Sequence, residues 1–211
     1  MDTRRGYWLV GKWNQIPLFL HWTILLWVPW YLFQGKSLAW LVVSFPAFVG
    51  LLAAHEIGHA IAARRRRVKV ESINLYVLHG LCEHEDPYYE RDHVLIAWGG
   101  VFAQGIVLVL ALALDHLSSL FLPSLRYSLD PLFFVLINVN CVIAAINLIP
   151  IQPLDGHIAW RAIPLLRVRY LPQVGLRLRS LGGMLNLRKR RARVKDAERL
   201  ADEFIERMKN K

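Results

Sequence analysis

The chain has 211 residues, of which 55% are apolar and 20% charged, and its formal net charge is +10. The apolar content excludes a disordered chain, and the length is typical of one domain with or without a tail. The basic excess alone would suit a nucleic-acid binder or a membrane protein with a basic cytosolic side. Its distribution is uneven, since residues 16–63 contain two charged residues whereas residues 161–211 contain 15 lysines or arginines.

Four long apolar stretches predict membrane-spanning helices, because about 20 residues are needed to cross the hydrocarbon core. They cover residues 16–33, 38–63, 93–114 and 132–150. The first follows a basic segment and continues into tryptophans and a proline, so we expect a retained helix and not a cleaved signal peptide. The two cysteines form no CxxC motif and give no disulfide framework.

The basic residues of the loops indicate the topology. Alternate sides of a four-span arrangement carry 24 and two lysines or arginines. Under the positive-inside rule, both termini and the loop over residues 64–92 are therefore cytosolic. This predicts a multi-pass protein of a cytoplasmic membrane, bacterial or archaeal, which also accounts for most of the net charge.

Two cytosolic segments have patterns of their own. Residues 68–78 are rich in β-branched side chains and predict a strand, followed by a turn at His79-Gly80 and a possible return strand. Residues 194–208 have apolar positions at helical spacing. The predicted fold is an all-α polytopic membrane protein with about four transmembrane helices, a small membrane-associated β segment and a cytosolic helical tail. The predicted division is a membrane core over residues 1–165 and a basic tail over residues 166–211.

The second apolar stretch ends in a metal-binding pattern, His55-Glu56-Ile57-Gly58-His59. Residues four apart share a helix face, so both imidazoles can bind one Zn²⁺. Glu56 can take a proton from water that zinc has made acidic. Ionisable groups inside a membrane helix are costly and normally functional, which favours a metal site over a packed polar cluster.

A zinc hydrolase with two histidines needs a third protein ligand. Asp155 follows the fourth apolar stretch, in a segment where Pro150 and Pro153 interrupt the helix. It is placed at the same membrane depth as the two histidines. The alternative is that Asp155-Gly156 forms a solvated turn, and several acidic residues of the cytosolic loop also remain candidates.

The two motifs together resemble the site-2 protease family of intramembrane zinc metalloproteases. The resemblance rests on the His-Glu-x-x-His pattern and on Asn147-x-x-Pro-x-x-Pro-x-Asp155-Gly156, and it covers roughly residues 16–165. It implies one catalytic zinc held by His55, His59 and Asp155, with Glu56 as catalytic base and acid. It also implies that Asn147 binds the substrate carbonyl or its oxyanion.

The same resemblance implies that the strand before the turn pairs with an unwound substrate segment. The substrate-contact candidates are Ile73, Leu75, Val77, Gly80 and Asn140. For Asn140, hydrogen bonding between helices is the favoured alternative. The chain departs from the family pattern at His79, where a glycine is usual, and in the third helix, which has Gly99-Gly100 and later Gln104 in place of Gly-Pro and Asn. We expect a minimal family member without a PDZ or nucleotide-sensing domain.

The expected function is hydrolysis of a peptide bond in a single-span membrane protein within the lipid bilayer. The alternative is a catalytically silent protein of the same fold that binds such clients. A prenyl-protein type of membrane protease would need a glutamate ligand on a later helix, and no glutamate is suitably placed. No nucleic acid is expected as a partner, because the tail has few aromatic residues for base stacking. The tail is available for a regulatory partner or an oligomer.

Overall fold

A computed structural model describes residues 5–77 and 79–165. The predicted tail over residues 166–211, including its helix over 194–208, lies outside the described residues. Residues through Ala162 form one compact unit, and Ile163 begins a second.

The described chain alternates between a small sheet and long helices. The strands are β1 Tyr7–Trp13, β2 Ile16–His21, β3 Val70–Leu75 and β4 Gly80–His84. The longer helices are α1 Trp27–Phe33, after a 3₁₀ turn at Trp22–Leu26, then α2 Leu38–Arg65 and α3 Glu90–Phe121. The remaining helical elements are α4 Pro123–Ser128, α5 Asp130–Phe133, a π-helical segment Phe134–Val139, α6 Asn140–Asn147 and α7 Gly156–Ala159.

Three helical stretches are long and apolar enough to cross a membrane: Leu38–Arg65, Glu90–Phe121 and Asp130–Asn147. They correspond to the second, third and fourth predicted spans. Helix α3 continues without a break to Phe121, beyond the end of the third predicted span at residue 114.

The first predicted span is wrong as a continuous helix. Residues 16–21 form strand β2, and only Trp22–Phe33 is helical, which is shorter than a spanning helix. Asn14 and Gln15 both adopt positive φ and turn the chain between β1 and β2. An apolar run of this length does not by itself distinguish a strand from a helix, because both bury it.

The sheet has four strands in the order β1-β2-β3-β4, so the all-α prediction with one small β segment is only partly correct. β2 pairs in parallel with β3, and β3 pairs antiparallel with β4. The predicted strand and its return strand are present. However, β3 lies inside the sheet, with both its edges paired, and its Ile73 and Leu75 side chains are 0% exposed. They pack with Leu51 and Leu52 of α2 in the apolar core.

Helices α2 and α3 run antiparallel and touch through their backbones. A Cβ atom built on Gly58 would collide with the carbonyl of Gly99, and the reverse also holds. Gly-Gly contacts of this kind let two membrane helices approach closely. The close approach places α3 directly over the α2 face that carries His55 and His59.

Helix α6 is joined to α3 by Asn140, which is 1% exposed. Its amide nitrogen donates to the carbonyls of Gln104 at 3.0 Å and Leu136 at 3.1 Å. The structure thus contains the hydrogen bonding between helices that was the favoured alternative for Asn140.

Candidate metal centre

Helix α2 presents His55 and His59 on one face, one turn apart. Their Nε2 atoms lie 3.0 Å from each other, and the ring planes are 84° apart. Both side chains are buried, with residue exposures of 5% and 7%. The i, i+4 spacing of the motif accounts for this convergence.

Asp155 reaches the same point from a different part of the chain. It lies after α6, beyond a loop that contains a cis peptide bond between Gln152 and Pro153. Its Oδ2 atom is 3.0 Å from His55 Nε2 and 3.2 Å from His59 Nε2. Within the described residues, this trio is the only group of three potential ligands close enough to share a metal ion.

The outer nitrogens of both rings are held by α3. His59 Nδ1 donates to the Ile96 carbonyl at 2.7 Å, and His55 Nδ1 donates to Gln104 Oε1 at 2.9 Å. Each Nδ1 therefore carries a proton, and each Nε2 faces Asp155. This is how ligand histidines are usually oriented.

The donor set fits a divalent cation. Two Nε2 lone pairs and one carboxylate oxygen converge within about 3 Å of one another, and Asp155 Oδ2 is buried with no hydrogen-bond donor. Three acceptors without a proton between them repel one another, whereas a shared cation stabilises them. Two histidines and one carboxylate are a usual zinc set with an open fourth position.

A glycine makes room for the two rings. A Cβ atom built on Gly100 would lie 2.5 to 2.7 Å from ring atoms of His55 and His59. No side chain fits between α3 and the imidazoles at this point. Gly100 therefore belongs to the site, although the sequence showed it only as a departure from a motif.

Glu56 lies beside the ligands and is 3% exposed. Its carboxylate packs against Gly80 at the start of β4, so closely that a Cβ atom at residue 80 would overlap it. Gly80 was predicted as a substrate contact, and the structure places it at the wall next to Glu56.

Asn147 lies at the end of α6, and its Nδ2 atom is 3.3 Å from His55 Nε2. With Glu56, the three candidate ligands and Gly80 it lines one cavity of about 290 Å³. The amide and the carboxylate thus flank the ligand trio inside a single chamber. This is the arrangement that acyl hydrolysis requires: a metal, a base and an oxyanion donor around one space.

The cavity wall formed by β4 includes Cys82 and His84. Cys82, Glu83 and His84 belong to strand β4. Burial raises the pKa of Cys82 to about 12, and the negative charges of Glu56 and Glu83 add to this effect. Its thiol is therefore protonated at neutral pH.

The remaining predicted substrate contacts do not line the cavity. Ile73 and Leu75 are in the buried interior strand, and Val77 follows its end. The strand of this sheet that reaches the cavity is β4. The family resemblance pointed to β3, but the order in which the strands pair places β3 inside the sheet and β4 at its edge.

Known proteins similar to this chain were found by sequence and by structure. No protein-family profile matches it. The zinc metalloprotease MJ0392 of Methanocaldococcus jannaschii is 27% identical over 159 residues, which are 74% of this chain and 45% of that protein. The site-2 protease from Methanocaldococcus jannaschii has the same fold, with a TM-score of 0.57 at 23% identity over 78% of this chain and 73% of that chain.

The chain therefore has the fold of that site-2 protease, and its sequence resembles that of a zinc metalloprotease. It spans less than half the length of the curated relative that it matches. These similarities, together with the three apolar helices, support a membrane protein related to metalloproteases.

A substitution of Gln104 tests whether its hydrogen bond to His55 supports zinc binding. Replacing Gln104 with leucine removes the acceptor for His55 Nδ1. We expect zinc affinity to fall about 10- to 100-fold, the usual cost of losing such a partner. Competition with a chelator measures this affinity. Gln104→Glu keeps an acceptor in place, and equal zinc binding by all three proteins would contradict the role of Gln104.

Proposed function

We propose that this chain is an intramembrane zinc metalloprotease that hydrolyses a peptide bond in or near the transmembrane segment of a membrane protein. The observation that carries this proposal is the meeting of His55, His59 and Asp155 at one point, with Glu56 and Asn147 lining the same cavity. A degenerate client-binding protein has no need to keep all five groups. This favours catalysis over the silent alternative.

The five residues have distinct chemical tasks. Zinc, when bound by His55, His59 and Asp155, supplies the Lewis acidity that makes water a nucleophile near neutral pH. Glu56 takes the proton from the attacking water and passes it to the leaving amine. The Asn147 amide donates a hydrogen bond to the carbonyl oxygen as negative charge develops there.

The substrate must be extended where it is cut, because a helix hides its carbonyls. An unwound segment leaves backbone groups that need new partners inside a membrane. β4 lines the cavity, and in the sheet of the described residues one of its edges is unpaired. We therefore assign substrate pairing to the outer edge of β4, in place of β3, by addition of a strand.

Disulfide trapping tests this assignment. Leu81 is exposed on β4, whereas Ile73 is buried on β3. In a background that lacks Cys82 and Cys141 and carries Glu56→Gln, Leu81→Cys is expected to cross-link to a cysteine placed near the scissile bond. Ile73→Cys is the control and is expected to give no product. Equal trapping at both positions would contradict pairing at β4.

The charge distribution supports a location with the catalytic cavity toward the cytosol. Arg64 to Arg67 follow the His-Glu-x-x-His helix directly, and the segment after Asp155 leads into the basic tail. Positive loops remain on the cytosolic side. The substrates expected from this arrangement are single-span proteins, either regulators released from the membrane or remnants that are cleared from it. The tail remains a candidate surface for a regulator or a second copy.

The proposed function is tested in cells. Membrane-protein fragments are compared between cells with the wild-type protein and cells with Glu56→Gln at equal expression. A single-span protein is expected to accumulate uncut in the variant and to be cut near its membrane segment in the wild type. Identical fragment patterns in the two kinds of cells, together with a purified protein that contains no metal, would reject the protease function. The catalytically silent client-binding protein would then be the remaining alternative.

A further inference from the structure

Asp155 has an unusual support for a candidate metal ligand. It precedes α7, which extends only from Gly156 to Ala159, and it follows a loop that begins after Asn147. An isolated single turn of helix has little stability of its own. The position of the Asp155 carboxylate therefore depends on whatever holds this segment.

The segment is first closed on itself. Trp160 donates its indole N–H to the Leu148 carbonyl at 2.7 Å, which joins the two ends of the loop. Gly156 packs directly against the carbonyls of Leu148 and Ile149, with no room for a Cβ atom. The loop that carries Asp155 is thus compact and closed by its own contacts.

This compact loop is then attached to α3 by a second tryptophan. Trp98 donates its indole N–H to the Ala159 carbonyl at 3.1 Å. The Trp98 and Trp160 rings also meet edge to face, with centroids 6.2 Å apart and planes at 75°. The exposed ion pair between Arg161 and Glu90 joins the same elements, but pairs of this kind contribute little.

Helix α3, to which Trp98 attaches the loop, also accepts hydrogen bonds from both histidines. Ile96 accepts from His59 and Gln104 accepts from His55, so Trp98 lies between the two positions that orient the imidazoles. The ligands come from two distant parts of the sequence, and α3 is the element that both parts contact.

We propose that Trp98 is a positioning residue that sets the Asp155 carboxylate against the two imidazoles, so that α3 orients all three metal ligands. The inference rests on the proposed zinc site. It assigns to Trp98 an effect on metal binding that acts through Asp155 and not through the histidines.

The test compares two tryptophan-to-phenylalanine variants in the full-length purified protein. Trp98→Phe keeps an aromatic ring and removes the N–H donor. Trp27→Phe is the matched control, because Trp27 is stacked on Phe48 at 4.1 Å and its indole nitrogen is buried without a partner. Zinc affinity is measured by chelator competition, and the ligand field by the visible spectrum of the Co²⁺-substituted protein.

Trp98→Phe is expected to weaken zinc binding about tenfold, at the lower end of the cost for residues that orient ligands, and to change the Co²⁺ spectrum. Trp27→Phe is expected to alter neither. In an Asp155→Ala background, Trp98→Phe should have no further effect on affinity, since its action requires the carboxylate. Trp160→Phe, which removes the hydrogen bond that closes the same loop, should also weaken zinc binding. It replaces Trp98→Phe as the test variant if Trp98→Phe does not fold.

Two results would overturn the inference while leaving the zinc site intact. One is wild-type zinc affinity and Co²⁺ spectrum in folded Trp98→Phe or, should that variant not fold, in Trp160→Phe. The other is an equal loss of affinity from Trp98→Phe in the presence and absence of the Asp155 carboxylate. By contrast, a wild-type protein that binds no zinc would reject the proposed function itself.

Discussion

Glu56→Gln is expected to lower the rate of peptide-bond cleavage about 100- to 10,000-fold, the usual contribution of a general base, while zinc binding is retained. The substitution is nearly isosteric, so the contact of residue 56 with Gly80 persists. Glutamine cannot accept the proton of the attacking water. The three ligand side chains are unchanged, which is why metal content and activity should separate.

The measurement is cleavage of a single-span substrate by the purified protein in lipid vesicles, together with the zinc content of each preparation. Glu71→Gln is the control, because Glu71 is an exposed acidic residue of β3 away from the cavity. It is expected to cut at the wild-type rate. Normal turnover by Glu56→Gln would show that another group is the base.

Gly100→Ala is expected to abolish zinc binding and, with it, activity. A methyl group at this position would lie 2.5 to 2.7 Å from ring atoms of both histidines. To make room, at least one imidazole must rotate, and rotation breaks its hydrogen bond to Ile96 or Gln104. The ligand atoms then no longer converge on Asp155.

The control for this prediction lies on the same helix. A Cβ atom built on Gly105 meets nothing within 4 Å, so Gly105→Ala tests the general effect of replacing a glycine in α3. It should be neutral or slightly stabilising, because alanine is the better helix former. Full zinc occupancy in Gly100→Ala would mean that α3 can move away from α2, against the close Gly58–Gly99 contact.

Local sequence patterns predicted the two histidines and Asp155 correctly as neighbours, but not the structure of the first apolar stretch. Once the segment is helical, the spacing of His55 and His59 places both imidazoles on one face whatever the rest of the fold, because i, i+4 neighbours depend only on local geometry. Asp155 was selected by its motif and by its place after a broken helix. For Ile16 to Phe33, the same kind of local reasoning was wrong, because an apolar run does not show whether its backbone pairs within a helix or with another strand.

The residues of α3 that contact the two histidines or the Asp155 loop were not predicted from the sequence. Gln104 and Gly100 appeared in the sequence only as departures from a family pattern, and Trp98 had no signal at all. Their spacing places residues 96, 100 and 104 on one face of a helix, but nothing local states which partner that face meets. A search for such small or polar positions at i, i+4, i+8 in the predicted third helix could have found two of them.

The sequence by itself determined the candidate chemistry: a His-Glu-x-x-His motif on a helix in an apolar segment, a distant carboxylate, and an uneven distribution of basic residues among the loops. Each of these depends on composition or on short-range spacing. Only the tertiary structure decided that β4 and not β3 lines the cavity, that Asn140 joins helices, and that α3 hydrogen-bonds to both histidines. Those features depend on contacts between residues that lie about 50 to 90 positions apart in the sequence, as in the pairs His55–Gln104 and Asn147–His55. Packing selects such contacts through the shape of the whole fold.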